Sequence, residues 1–164
     1  MGGTGMIVRV QKGELDQCLE VIRSSFATVA EDFGFTEENC PGHSSFMKLD
    51  RLERDFDFGN PMYAYVADGR FVGFVSVRPM EESCEMKLLA VLPDCRHGGI
   101  GRALVEHAKR ITLEAFGKHK MTIGIIEEGA LLKAWYEGLG FIHTGTQKFE
   151  HLPFTVGFME MLLP

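Results

Sequence analysis

The sequence predicts one α/β domain, 1–164, with a central mixed sheet flanked by helices, and three observations carry that prediction. Its 164 residues suit a single domain of ordinary size. A hydrophobic fraction of 45% beside a charged fraction of 24% is ordinary globular usage and supplies a real core. Its apolar residues also switch between the two-residue period of strands and the three-to-four-residue period of helices, giving the order β-α-α-β-β-β-α-β-α-β-β.

A short strand is expected at Met6–Val10, preceded by a disordered 1–5. Leu15, Leu19, Ile22, Phe26 and Val29 then follow at steps of four, three, four and three, one stripe of an amphipathic helix. The stretch "EDFGFTEENCPGH" reads as a loop. A second helix is expected over Ser45–Phe56, with Phe46, Leu49 and Leu52 on one side. "PMYAYVADGRFVGFVSVRP" holds two strands around Asp68-Gly69, a tight hairpin signal. "CEMKLLAVL" is a third strand whose latter half reads as buried on both faces. Ile100, Leu104, Ala108, Ile111 and Ala115 mark a helix over Ile100–Ala115. "KMTIGII" is a strand, and "ALLKAWYEGLGF" is a short helix closing at Gly140. "FIHTGTQKF" and "FTVGFMEML" are the final strands, joined around Leu152-Pro153. No repeat, low-complexity tract or linker interrupts the series.

The formal charge of −6 argues against nucleic acid as a partner, which would call for a basic face. It suits an amine-bearing substrate, or solubility alone. Cys18, Cys40, Cys84 and Cys95 show no C-x-x-C pairing, so no metal site is expected, and free thiols fit a reducing compartment. The N-terminus has no signal-peptide pattern, and no run approaches the roughly 18 apolar residues of a membrane span. A cytoplasmic protein without membrane attachment is the expectation.

The most informative stretch is "PDCRHGGIGRALVEHAKRI", where Arg96, Gly98, Gly99, Gly101 and Arg102 surround the start of a helix directly after an apolar strand. Helix N-termini present unpaired N–H groups and bind anions. Glycines let a phosphate approach the backbone, and arginines add charge-assisted bonds. The competing reading is a turn that needs glycine only for tight packing. The G-K-[ST] of a Walker loop is missing, and Leu104 stands where the last glycine of a dinucleotide fingerprint would be. What remains is R-x-x-G-x-G.

With "LAVLPDCRHGGIGRALVEHA" followed by "ALLKAWYEGLGF", the chain resembles the GNAT superfamily of acyl-CoA-dependent N-acetyltransferases over essentially its whole length. The resemblance implies acetyl-CoA as cosubstrate and a primary amine, unidentified here, as acceptor. It implies pyrophosphate binding around Arg96, His97, Gly98, Gly99, Gly101 and Arg102. Backbone groups from Leu88 to Val91, those of Leu89 and Val91 among them, would meet the pantetheine arm. The Leu89 N–H would hold the developing oxyanion, and Tyr136 would protonate the departing thiolate, unless it is simply a core aromatic. Gly129 stands where the family often has an asparagine. Glu85, eleven residues before Arg96, matches a catalytic glutamate of several relatives. Alternation would put it on one strand face with Lys87, Leu89 and Val91. A carboxylate of ordinary pKa, about 4.3, is a poor base for an amine of pKa about 10, so burial or a water chain would be required. Lys87 could equally pair with it, and Glu127 and Glu128 are the reserve bases. His43 is read either as acceptor wall or as a surface histidine, and Cys95 as structural. Glu31, Asp32, Glu37 and Glu38 would suit a polyamine or basic peptide, or simply face solvent. A homodimer is common in the family, though nothing here specifies one. The alternative to an enzyme is a non-catalytic acyl-CoA-binding or sensing module.

Overall fold

Strand register and helix packing follow from where apolar side chains can be covered. The computed structural model describes residues 5–164. Among them, seven strands and four α-helices follow the expected order. They are β1 (Met6–Arg9), α1 (Leu15–Phe33), α2 (Leu49–Phe58), β2 (Met62–Ala67), β3 (Arg70–Pro79) and β4 (Cys84–Val91), then α3 (Ile100–Glu114), β5 (Lys120–Ile126), α4 (Ala130–Leu139), β6 (Ile142–Lys148) and β7 (Thr155–Leu162). Of the expected disordered 1–5, residues 1–4 lie outside the described residues, and Gly5 is half-buried against the Tyr65 ring.

The strands form one sheet in the order β1-β2-β3-β4-β5-β7-β6. Asp68 and Gly69 both adopt positive φ, 51° and 75°, as the tight β2–β3 hairpin requires. One face of the sheet is covered by α1 and α2, around Leu15, Ile22, Leu52 and Phe74. The other is covered by α3 and α4, around Val75, Leu104, Val105, Met121 and Tyr136. No helix among the described residues is long and apolar enough to cross a membrane. Among them no cluster of three or more metal-ligating side chains occurs, and the four cysteines are unpaired.

Two irregularities in the middle of the sheet shape the site. First, β4 and β5 are the parallel pair, and they are matched only at Cys84–Met121 and Glu85–Thr122. Beyond those residues the strands separate and leave a wedge-shaped gap. Second, β4 carries an extra residue opposite β3. Ser76 faces Lys87 while Phe74 faces Ala90, and Leu88 takes a φ of 57°, uncommon for a side chain of its size. This is a β-bulge.

The bulge overturns the expected sharing of a face by Glu85, Lys87, Leu89 and Val91. Glu85 lies opposite Arg78, and Lys87 opposite Ser76. Both therefore point to the α1/α2 face along with Phe74 and Ala90. After the bulge the phase is reversed, so Leu89 and Val91 pack on the α3/α4 core while Leu88 joins the other one.

Candidate active site

At the end of β4 a single 3-10 turn, Pro93–Cys95, leads through Arg96, His97, Gly98 and Gly99 into α3. His97 and Gly99 hold positive φ, 67° and 85°. Left-handed residues of this kind curl successive N–H groups into a concave nest. Gly99 is the N-cap and supplies no side-chain cap. The first helical N–H with a backbone acceptor is that of Ala103, donating to Gly99 O at 3.0 Å. The N–H groups from His97 to Arg102 have no partner among the described residues.

Packing does not explain the glycines of this turn. A Cβ at Gly73, under α3, would lie 2.9 Å from Leu104 Cδ1, so close helix–sheet packing demands glycine there. A Cβ at Gly101 would meet the Trp135 ring at 3.5 Å and Val91 at 3.8 Å, which is ordinary contact. At Gly98 the nearest atom would be Cys95 O at 3.8 Å. Both positions could hold a side chain, and its absence leaves a bare row of amides open to solvent.

Arg96 points away from that row. Its Nε donates to Val91 O at 3.3 Å, Nη1 to Thr28 Oγ1 at 3.1 Å, and Nη2 to Ser25 O at 2.8 Å and Ser25 Oγ at 3.1 Å. Ser25 Oγ also accepts the Val91 N–H at 3.2 Å. The guanidinium thus ties α1 to the end of β4, and both backbone groups of Val91 are already engaged within the protein. Removing this fork takes a donor from Val91 O and from Ser25 O and Oγ and cuts the tie between α1 and β4, although Ser25 O keeps the Thr28 hydroxyl at 2.8 Å. Arg96→Met is therefore expected to cost about 1–3 kcal/mol of stability in urea unfolding, and Arg96→Lys to recover little of it, lacking the planar fork. Arg102, by contrast, is exposed and has no ion-pair partner among the described residues.

Leu92 N–H donates to Val72 O on β3. By alternation, the N–H groups of Val91 and Leu89 point the other way, toward the gap. In that gap lies a cavity of about 620 Å³ lined by Leu88 and Leu89 of β4, Ile123 and Ile125 of β5, and Tyr136 of α4. Tyr136 is 7% exposed, edge-on to Trp135 and Phe141 with ring centroids at 5.0 and 5.5 Å. Its hydroxyl has no hydrogen-bond partner among the described residues. Burial raises its pKa above the usual phenol value, so it stays protonated at neutral pH.

The three carboxylates expected as bases each have partners within the protein. Glu85 pairs with Arg78 at 3.5 Å and is not part of the cavity lining. Glu127 accepts from Lys133 Nζ and meets His143 Nε2, both at 2.8 Å. Those partners, Lys133 first, hold its carboxyl below the usual range. Together they lash the end of β5 to the first turn of α4 and to β6. Glu128 does line the cavity, but its carboxylate accepts the Thr155 N–H at 3.1 and 3.3 Å. Its own backbone N–H and that of Thr155 lower its pKa.

His43 stands on the cavity wall, not on the open surface. Its Nδ1 lies 2.7 Å from Ser45 Oγ and 3.3 Å from Ser45 N, and burial lowers its pKa, so the imidazole is neutral at neutral pH. The cavity residues Phe26, Phe33 and Phe154 come from distant segments and leave no local signal in the sequence.

β4 thus runs from a split sheet, with a cavity and the buried ring of Tyr136 beside it, to an amide-lined turn at the head of α3. The family model described as the acetyltransferase (GNAT) domain matches residues 60–143, spanning the split, the turn and α4. The chain belongs to the GNAT acetyltransferase family and is an acyltransferase. Solved structures share its fold. One is the ribosomal-protein-S18-alanine N-acetyltransferase of Escherichia coli, at 17% identity and a TM-score of 0.77, covering 98% of this chain and 94% of that one. A second is PaiA N-acetyltransferase of Thermoplasma acidophilum, in complex with coenzyme A, at 17% identity and a TM-score of 0.76, covering 98% and 99%. A third is a spermidine N-acetyltransferase chimera of Vibrio cholerae SpeG and hSSAT, at 15% identity and a TM-score of 0.73, covering 98% and 96%. No curated protein matches the chain by sequence.

Proposed function

We propose that this protein transfers an acetyl group from acetyl-CoA to a primary amine by direct attack within a ternary complex. The observation that carries the reading is the continuity of the site. The unpartnered amides from His97 to Arg102 follow β4 directly in the chain, and Leu89 of that strand and Tyr136 line one cavity in the β4–β5 gap. The Thermoplasma neighbour, which holds coenzyme A, supports the choice of cosubstrate.

In this reading the amides of His97, Gly98, Gly99, Gly101 and Arg102 bind the pyrophosphate, aided by the positive end of α3 and the Arg102 side chain. Leu89 donates its N–H to the oxyanion that forms at the thioester carbonyl, a contribution of about 3–4 kcal/mol in comparable acyl transfers. Tyr136 passes its proton to the departing sulfur and regains one from the acylated amine nitrogen, which leaves a neutral amide and a thiol. Arg96 and Val91 act as positioning residues that fix the strand end, since their polar groups are engaged within the protein. Glu85, ion-paired with Arg78 and outside the cavity lining, takes no part in the chemistry. Holding amine and thioester together in a dry gap supplies much of the remaining acceleration.

The test is a product assay, with the protein incubated with acetyl-CoA and a mixed panel of primary amines. The expected result is free coenzyme A and N-acetylated amine in equal amounts, with no acetylated protein on the way. Acetylated protein accumulating before product would contradict direct attack.

A further inference from the structure

Building on the acetyltransferase reading, we propose that the acceptor is a primary amine carried on an apolar alkyl or aryl-alkyl tail, bound against an aromatic wall on the α1 side of the cavity. Polyamines and basic peptides are not its substrates.

The wall is assembled from three separated segments. Phe35 stacks near Phe33 with centroids 5.7 Å apart, and near Phe154 at 5.4 Å. His43 sits edge-on to Phe35 at 5.0 Å and to Phe26 at 5.9 Å. Rings interlocked in this way present a rigid apolar surface, and Phe26, Phe33, His43 and Phe154 all line the cavity. The opposite side is aliphatic, made by Ile123, Ile125 and Val156.

Charge on the lining is sparse and of one sign. Among the described residues, Asp32 and Glu128 are its only charged side chains, both exposed and so at its mouth, and the Glu128 carboxylate is already occupied by the Thr155 N–H. Of the four acids that could have suited a polyamine, Glu31, Glu37 and Glu38 do not line the cavity. The neutral imidazole of His43 adds no anion. A single ammonium can approach past Asp32, release its proton to solvent at the mouth and react as the free amine, while its tail displaces water from rings and aliphatic side chains. A second cation along the tail would lie against phenylalanine and valine with no carboxylate to receive it, a costly burial.

The experiment measures kcat/KM for a series of straight-chain alkylamines from ethylamine to octylamine, with 2-phenylethylamine, spermidine and an alanine-initiated peptide alongside. Acetyl-CoA binding is first verified by calorimetry, so a failure of the acetyltransferase reading shows as absent cofactor binding. The expected result is a rise of up to about fourfold per methylene until the cavity is filled, following the transfer free energy of a buried methylene, with 2-phenylethylamine far above spermidine and the peptide. Phe154→Ala should flatten the series. A flat wild-type series, a preference for spermidine or the peptide, or no alkylamine turnover by protein that binds acetyl-CoA would each overturn the proposal.

Discussion

Gly101→Asp is expected to abolish acetyl-CoA binding without harming the free protein. Gly101 is the second residue of α3, where a negative side chain favours the helix by about 0.3–1 kcal/mol. A Cβ there meets only ordinary contacts, at 3.5 Å or more. The same carboxylate would project into the row of amides from His97 to Arg102, neutralise its field and repel a pyrophosphate. Stability and affinity therefore move in opposite directions. In thermal melts, wild-type protein at a hundredfold excess of ligand over Kd should gain about 2.7 kcal/mol. The variant should melt at or slightly above ligand-free wild type and gain nothing. A variant that is still stabilised by acetyl-CoA would remove the turn from the cofactor site.

Tyr136→Phe is expected to lower kcat by about a hundredfold or more, the usual weight of a positioned proton donor, with KM for acetyl-CoA little changed. The hydroxyl makes no hydrogen bond within the protein, so its removal leaves no buried group unpaired and costs no stability. The ring contacts with Trp135 and Phe141 are retained by phenylalanine. Burial keeps the phenol protonated, so wild-type activity should show no loss from phenol ionisation through neutral and mildly alkaline pH. An unchanged kcat in the variant would return Tyr136 to the role of a core aromatic.

The parts of this site that one segment encodes were legible in the sequence. Strand, glycine turn and helix from Leu88 to Ile111 can be read directly, because period, turn chemistry and the R-x-x-G-x-G spacing agree there. The direction of Glu85 could not be read. The stretch "LLAV" is apolar on both faces, so the extra residue at Leu88 leaves no mark in the alternation, yet it reverses the faces on either side of it. Nor could the aim of Arg96 be read, since its partners Ser25 and Thr28 lie 71 and 68 residues earlier on another helix. The aromatic wall is illegible for the same reason. Phe26, His43 and Phe154 become neighbours only when α1, its following loop and the approach to β7 close over the split sheet.

The central claim is that the turn and the split strands form one acyl-CoA site, and Trp135 allows it to be tested directly. It is the single tryptophan of the chain, 37% exposed, and it lies within 3.5 Å of where a Cβ of Gly101 would stand. Its emission should therefore respond to ligand at the head of α3. Titrating acetyl-CoA into the wild-type protein is expected to give a saturable fluorescence change at one ligand per chain, lost in Gly101→Asp. A flat titration, with no heat of binding in a parallel calorimetric run, would contradict the account.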